Sequence, residues 1–95
     1  MFSLKNKNII ITGGGGFLST SFIEGIYELK GNPIILENNI DKIKNLKKEF
    51  QSKFDKIPDC YLLDITNQKA VKKNSLILKK KYKSIDGLIN NAARN

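Results

Sequence analysis

Ninety-five residues are enough for one small domain with a modest buried fraction, and 40% hydrophobic with 27% charged residues is the make-up of a globular chain, not a disordered one. One cysteine, Cys60, excludes an intrachain disulfide and a Cys-based metal site, and the lack of any His argues against metal catalysis. The net charge of +8 is nearly all Lys, Arg94 being the only Arg, and these Lys are spread along expected helices, so solvated faces are expected in place of a nucleic-acid surface.

Lys5 and Lys7 precede an apolar stretch in the manner of a signal peptide, but Ile9 to Ile11 is short and glycines interrupt it. No apolar window approaches membrane-spanning length, and a cytoplasmic protein without membrane contact is expected. Asn8 to Thr12 is a β-branched run ending in glycines, the pattern of a strand buried on both faces of a parallel sheet. From Phe17 to Leu29 the residues Leu18, Phe22, Ile26 and Leu29 recur at helical spacing, and Gly31 and Pro33 should end that helix. Ile34 to Leu36 reads as a second strand, followed by Glu37 and by Asn38 and Asn39, whose side chains can cap a helix running roughly from Ile40 to Phe54 with Ile43, Leu46, Phe50 and Phe54 inward. Cys60 to Asp64 is the expected third strand, with Thr66 as N-cap of a helix that turns Val71, Leu78 and Tyr82 inward. The run Lys79 to Lys81, with Lys83, falls where cations complement the negative end of a helix dipole. Gly87 to Asn90 completes a fourth strand.

Strand and helix alternate three times and a strand closes the series, which implies parallel pairing with right-handed crossovers. The expected fold class is α/β: a three-layer, Rossmann-like arrangement with a four-stranded parallel sheet in the order 3-2-1-4 and three helices. This is an incomplete doubly wound fold, a single partial domain over residues 1–95.

The segment Ile11 to Ser19 lies between the first strand and the first helix. Glycines there let backbone approach a pyrophosphate, since a Cβ would obstruct it, while free amides at the helix start near Phe17 and Leu18 supply donors and a positive dipole end. A glycine cluster alone also suits a flexible loop, and the absence of Gly-Lys-Ser/Thr removes the P-loop reading. Glu37 stands roughly 20 residues beyond the glycines at the end of the second strand, where a carboxylate can accept hydrogen bonds from both ribose hydroxyls and would repel a 2′-phosphate. No Arg or Lys lies in the glycine loop or directly after Glu37, so NAD is favoured over NADP. The plainer reading of Glu37 is a solvated residue at a strand end.

With Thr12-Gly13-x-x-Gly16, Glu37, Asp64-Ile65-Thr66 and Asn90-Asn91-Ala92-Ala93 in place, the chain resembles the short-chain dehydrogenase/reductase family over essentially its whole length. The resemblance implies that Gly13, Gly15 and Gly16 form the cofactor turn, that Asp64 meets the adenine amino group beside the Ile65 backbone, and that Asn91 and Ala92 line the cofactor's ribose. Asn90 would serve the backbone, and capping is the plainer role for Asp64. Ser19 stands where a third glycine is usual and Ala93 where the family commonly has glycine; Ser19 could loosen helix–strand packing.

The family oxidises or reduces a carbonyl/alcohol pair with a Ser, an Asn and a Tyr-x-x-x-Lys pair downstream of the Asn-Asn-Ala segment. Neither Tyr27, Tyr61 nor Tyr82 has Lys at the fourth following position, so no catalytic residue is assigned. The chain is expected to be an NAD-binding N-terminal portion, inactive alone, with a fourth strand open to a complementary C-terminal fragment. Alternatives are a non-catalytic nucleotide- or partner-binding module and a small basic nucleic-acid binder. The Phe-Leu after the glycines and the Asn-Asn-Ala-Ala-Arg-Asn ending resemble bacterial members associated with surface-sugar or flagellin modification.

Overall fold

The isoleucine-rich opening run sets the sheet. In the computed structural model, which describes residues 2–13 and 17–91, β1 spans Asn8–Thr12 and lies between two parallel partners. The elements that follow are α1 (Phe17–Glu28), β2 (Asn32–Glu37), α2 (Ile40–Phe54), β3 (Asp59–Leu62), α3 (Gln68–Lys81) and β4 (Gly87–Asn90). The strand order is β3-β2-β1-β4 and every pair is parallel, as expected from the alternation.

Right-handed crossovers decide which face each helix covers. The steps β1 to β2 and β2 to β3 run one way, so α1 and α2 share a face. There Ile23 and Ile26 of α1 and Leu46 and Phe50 of α2 pack on Ile11 and Ile35 of the sheet, with Ile9 and Ile89 beside them. The step β3 to β4 runs back across the sheet, which puts α3 on the opposite face, where Leu78 and Tyr82 join Ile34 with Ile10, Leu36 and Tyr61 against them. Phe50 anchors the first core: it is fully buried, with Tyr27 edge-on at 5.9 Å between ring centroids and Phe54 stacked at 5.4 Å.

Several local expectations are corrected. The inner stripe of α1 is Ser19, Ile23 and Ile26, whereas Leu18 is 55% exposed and Phe22 half-buried, because the helix turns its Ser19 side to the end of β1. Pro33 does not end the helix; it is buried in β2, opposite Ile9 and one residue before β3 begins pairing at Ile34, where an absent N–H forfeits no ladder bond. β3 runs from Asp59 to Leu62, short of Asp64, although the Leu63 amide still reaches the Glu37 carbonyl at 2.8 Å. The N-cap of α3 is Asn67, whose side chain accepts from the Ala70 amide, because Thr66 is taken up by Asp64. Val71 remains 38% exposed, although it lines an apolar cleft with Ile10, Leu36, Leu63 and Leu78. Asn39 caps α2 as expected, accepting from the amides of Asp41 and Lys42.

The end of α1 carries a residue in an unfavourable conformation. Lys30 N donates to the Tyr27 carbonyl and Gly31 N to the Ile26 carbonyl, the paired bonds of a Schellman ending, and Lys30 takes the left-handed position with φ 70°. A side chain there costs about 1–2 kcal/mol against glycine's freedom. Gly31 cannot change, since a Cβ would lie 2.8 Å from Ile26 Cγ2 and 2.9 Å from Leu4 Cβ. Lys30→Gly should therefore stabilise the chain by about 0.5–1 kcal/mol, read as a higher urea midpoint, and Gly31→Ala should lower it; a Lys30→Gly midpoint at or below the parent's would contradict the assignment.

Candidate nucleotide site at the carboxyl edge

Parallel pairing in register gathers four strand ends on one edge. Thr12 lies beside Leu36 on one side and Asn90 on the other, and Glu37 lies beside Leu62. The order of strands reverses direction at β1, so a crevice opens outside the ends of β1 and β4, where open α/β sheets take ligands.

The chain leaves β1 through Gly13, which has φ 76°, a left-handed conformation that strains any residue with a Cβ. The Gly13 amide donates to the Leu36 carbonyl at 2.8 Å, so the first residue of the turn is still held by β2. On its other side a web of side chains joins β1, α1 and β4. Thr12 Oγ1 donates to Asn90 Oδ1 at 3.1 Å and accepts from the Asn91 amide at 3.0 Å. Asn91 Nδ2 donates to the Gly13 carbonyl at 3.1 Å and also to Ser19 Oγ, and Ser19 Oγ donates to the same Gly13 carbonyl. Ser19 is fully buried, so its hydroxyl fills the helix–strand contact instead of loosening it, contrary to the sequence expectation.

Glu37 is 5% exposed, not a solvated strand-end residue. Its Oε2 accepts from the Asn39 amide at 2.9 Å, which fixes the carboxylate at the turn between β2 and α2. Asp64 is exposed on the loop after β3, where Oδ1 accepts from Thr66 Oγ1 at 2.6 Å and from the Thr66 amide at 2.9 Å. The Thr66 hydroxyl first, and then the amide, hold the Asp64 carboxyl below its usual range. Ile65 beside it is 46% exposed. Leu18 lies in the first turn of α1 and Phe17 begins that helix.

Gly13, Phe17, Leu18, Glu37, Asp64, Ile65 and Asn91 are therefore all borne by the loops and element ends that follow β1, β2, β3 and β4. Gly15, Gly16 and Ala92 lie outside the described residues. Three further members of the web, Thr12, Ser19 and Asn90, have no cofactor-facing role in the sequence motifs, although Thr12 and Asn90 belong to those motifs; the signal for Ser19 is its departure from glycine.

Far from this edge, burial pushes the Cys60 thiol up to about 11, with Asp59 adding to the shift and Lys47 opposing it, so the thiol stays protonated at neutral pH. Tyr82, buried first of all and donating to Asp59 Oδ2 at 2.5 Å, is held well above the ordinary phenol range. Neither residue lies at the carboxyl edge. No helix among the described residues is long and apolar enough to cross a membrane.

The Asp64–Thr66 turn gives a pH test. A lowered carboxyl pKa adds stability above the ordinary Asp range that is lost as the pH falls through the lowered value. Thr66→Val removes the hydroxyl donor, so the Asp64 carboxyl resonance should titrate at higher pH than in the parent, and the stability gap between the two proteins should close in acid; an unmoved titration would contradict the bond.

Comparison with known proteins adds the ancestry of this edge. The family model described as short chain dehydrogenase matches residues 7–95. A Bacillus subtilis (strain 168) protein assigned as a 2,4-dienoyl-CoA reductase is 28% identical over 92 residues, which cover 97% of this chain and 36% of that one. Post-translational flagellin modification protein A of Campylobacter coli is 29% identical over 89 residues, 94% of this chain and 35% of that one. Among solved structures, a protein assigned as a D-mannonate oxidoreductase of Haemophilus influenza, with bound NAD, superposes with a TM-score of 0.81 at 26% identity over 99% of this chain and 33% of its own. The NADPH-dependent 3-quinuclidinone reductase of Rhodotorula rubra gives 0.74 at 27% identity over 93% and 33%. The chain thus spans about a third of the length of the relatives it matches. The family-model match over residues 7–95 makes this chain a member of the short chain dehydrogenase family.

Proposed function

We propose that residues 1–95 are the partial dinucleotide-binding domain of a family oxidoreductase, that its carboxyl edge takes a nicotinamide dinucleotide, and that NAD is preferred to NADP. The observation that carries this reading is the convergence of Gly13, Glu37 and Asn91 on one edge of the sheet, beside the N-terminus of α1. The diphosphate would lie over the turn that includes Gly13, Gly15 and Gly16 and against the amides at Phe17 and Leu18, where backbone N–H groups and the helix dipole favour an anion. Glu37 would accept from the adenosine ribose hydroxyls and Asp64, beside Ile65, from the adenine amino group. Asn91 and Ala92 would line the second ribose. When bound, the dinucleotide supplies hydride chemistry; these residues bind and orient it.

The preference for NAD rests on charge. A carboxylate at Glu37 repels a 2′-phosphate, and neither Asn38 nor Asn39 offers a cation to offset it. One solved relative has NAD bound and another is NADPH-dependent, so the proposed preference rests on Glu37 and its neighbours in this chain.

Chemistry needs more than this edge. None of Tyr27, Tyr61 and Tyr82 is placed in a Tyr-x-x-x-Lys pair, and the 95-residue chain alone should be inactive. The complementary portion of a family member, continuous or separate, would cover β4 and the face beside α3. Leu88, which shares that face with Ile10 through the β1–β4 register, is 65% exposed, and Leu76 on α3 is 66% exposed. Asn74 Oδ1 is buried without a hydrogen-bond partner among the described residues, an arrangement that a donor from an added helix would relieve. A right-handed crossover leaving β4 away from β1 would lay its helix on this side. A cytoplasmic setting fits the half-buried free thiol of Cys60. The substrate would be set by residues outside this third of the fold; the likeness to the flagellin-modification relative favours a role in flagellin modification.

Calorimetric titration tests the reading. The chain should bind ADP-ribose more tightly than 2′-phospho-ADP-ribose. Glu37→Gln should narrow or invert that order, with about a tenfold loss for ADP-ribose, the effect of losing a charged hydrogen-bond acceptor. Gly16→Val should abolish binding of both. Salt-sensitive nucleic-acid binding indifferent to Gly16→Val, with no ADP-ribose binding, would refute the proposal in favour of a basic nucleic-acid binder. Tight ADP-ribose binding by a monodisperse chain that gains no activity with any complementary portion would favour a non-catalytic module.

A further inference from the structure

We infer that the Ser19 hydroxyl is a positioning group for the diphosphate: it ties the start of α1 to the Gly13 carbonyl, where the chain leaves β1, and to Asn91 after β4. The inference rests on the reading of this edge as a dinucleotide site. Ser19 is fully buried, although its position is one where the family resemblance leads one to expect glycine. A hydroxyl carried into the interior costs free energy unless both its donor and its acceptor capacity are used. Both are used here: Oγ donates to the Gly13 carbonyl and accepts from Asn91 Nδ2.

The consequence for the turn follows from where these partners sit. Gly13 follows the last residue of β1 and is held by β2 through its amide, and Ser19 lies in the first turn of α1, so their bond links the two elements directly. Gly13 is also the residue whose left-handed φ of 76° directs the chain out of the strand. Asn91 joins the same carbonyl at 3.1 Å, so a single oxygen is shared by donors from two other elements. The backbone of Asn91 is set independently, through its amide on Thr12 Oγ1 at 3.0 Å, which makes it a fixed post and not a follower of Ser19. Without the Ser19 hydroxyl, Asn91 Nδ2 loses one acceptor and the two ends of the turn lose their direct link, while Glu37 and Asp64, on other loops, keep their partners. The penalty should therefore fall on the diphosphate and spare the adenosine.

The test uses the 95-residue chain with Ser19→Ala and Ser19→Gly, titrated by NMR with ADP-ribose and, separately, with adenosine, while urea unfolding is followed in parallel. Ser19→Gly installs the smaller residue usual at this place, which protects the packing if alanine does not fold. Both variants should bind ADP-ribose about five- to tenfold more weakly, the effect of one hydrogen bond, with adenosine affinity unchanged within about twofold. Folded variants that bind ADP-ribose as tightly as the parent would overturn the inference and leave the dinucleotide reading intact. Equal losses for both ligands would also overturn it, marking Ser19 as a general stabiliser. A parent chain that binds neither ligand would remove the dinucleotide reading itself, and this inference with it.

Discussion

The position of β1 between β2 and β4 is the constraint on which the rest depends. Because the chain steps outward twice on one side of β1 and then returns to the other, α3 must cross on the opposite face, and the two halves of the sheet part at the end of β1. The opening this creates is where Gly13 leads the chain out of the strand. It also brings Asn90 and Asn91, distant in sequence, beside Thr12 and Gly13. A residue at the end of β4 can then bond the Gly13 carbonyl just beyond β1.

The two faces of the sheet are unequally covered. On one, two helices bury an isoleucine and aromatic core in which Phe50 is fully enclosed; truncating such a residue costs about 3–5 kcal/mol, a large part of a small domain's stability. On the other, α3 alone spans the sheet, and Leu76 and Leu88 remain in solvent. The stability of the edge that would carry the nucleotide therefore comes mainly from the α1 and α2 face. Hydrogen bonds among short polar side chains, Thr12, Ser19, Asn90 and Asn91, complete it where apolar contacts end.

Much of this was legible in the sequence because the determining signals are local. The Ile-rich run before glycines, the Asn39 cap and the spacing of Ile43, Leu46 and Phe50 each specify their element without help from distant residues, and α2 ends where its pattern ends. Local signals mislead where a tertiary partner decides. In α1, Ser19 bonds Asn91, a contact across most of the chain that no helical periodicity encodes, and Ile23 takes the buried place while Leu18 stays exposed and Phe22 packs only partly on the core. Thr66 and Asn67 are both good caps by type; Asp64 claims the first and leaves the second to α3. Pro33 reads as a terminator in sequence, yet the late start of β3 makes room for it inside β2. The burial of Glu37 was likewise hidden, since it depends on how the β2–α2 turn folds back on its carboxylate.

The most direct test of the central claim is an amide-resolved NMR titration of the chain with ADP-ribose. The account predicts that shifts concentrate at Gly13, Leu18, Ser19, Asn38, Asn39, Ile65 and Asn91, along the carboxyl ends of the strands. Shifts confined to the opposite edge, at Asn6, Asn8, Lys30 and Lys83, or an unchanged spectrum at saturating nucleotide, would contradict it.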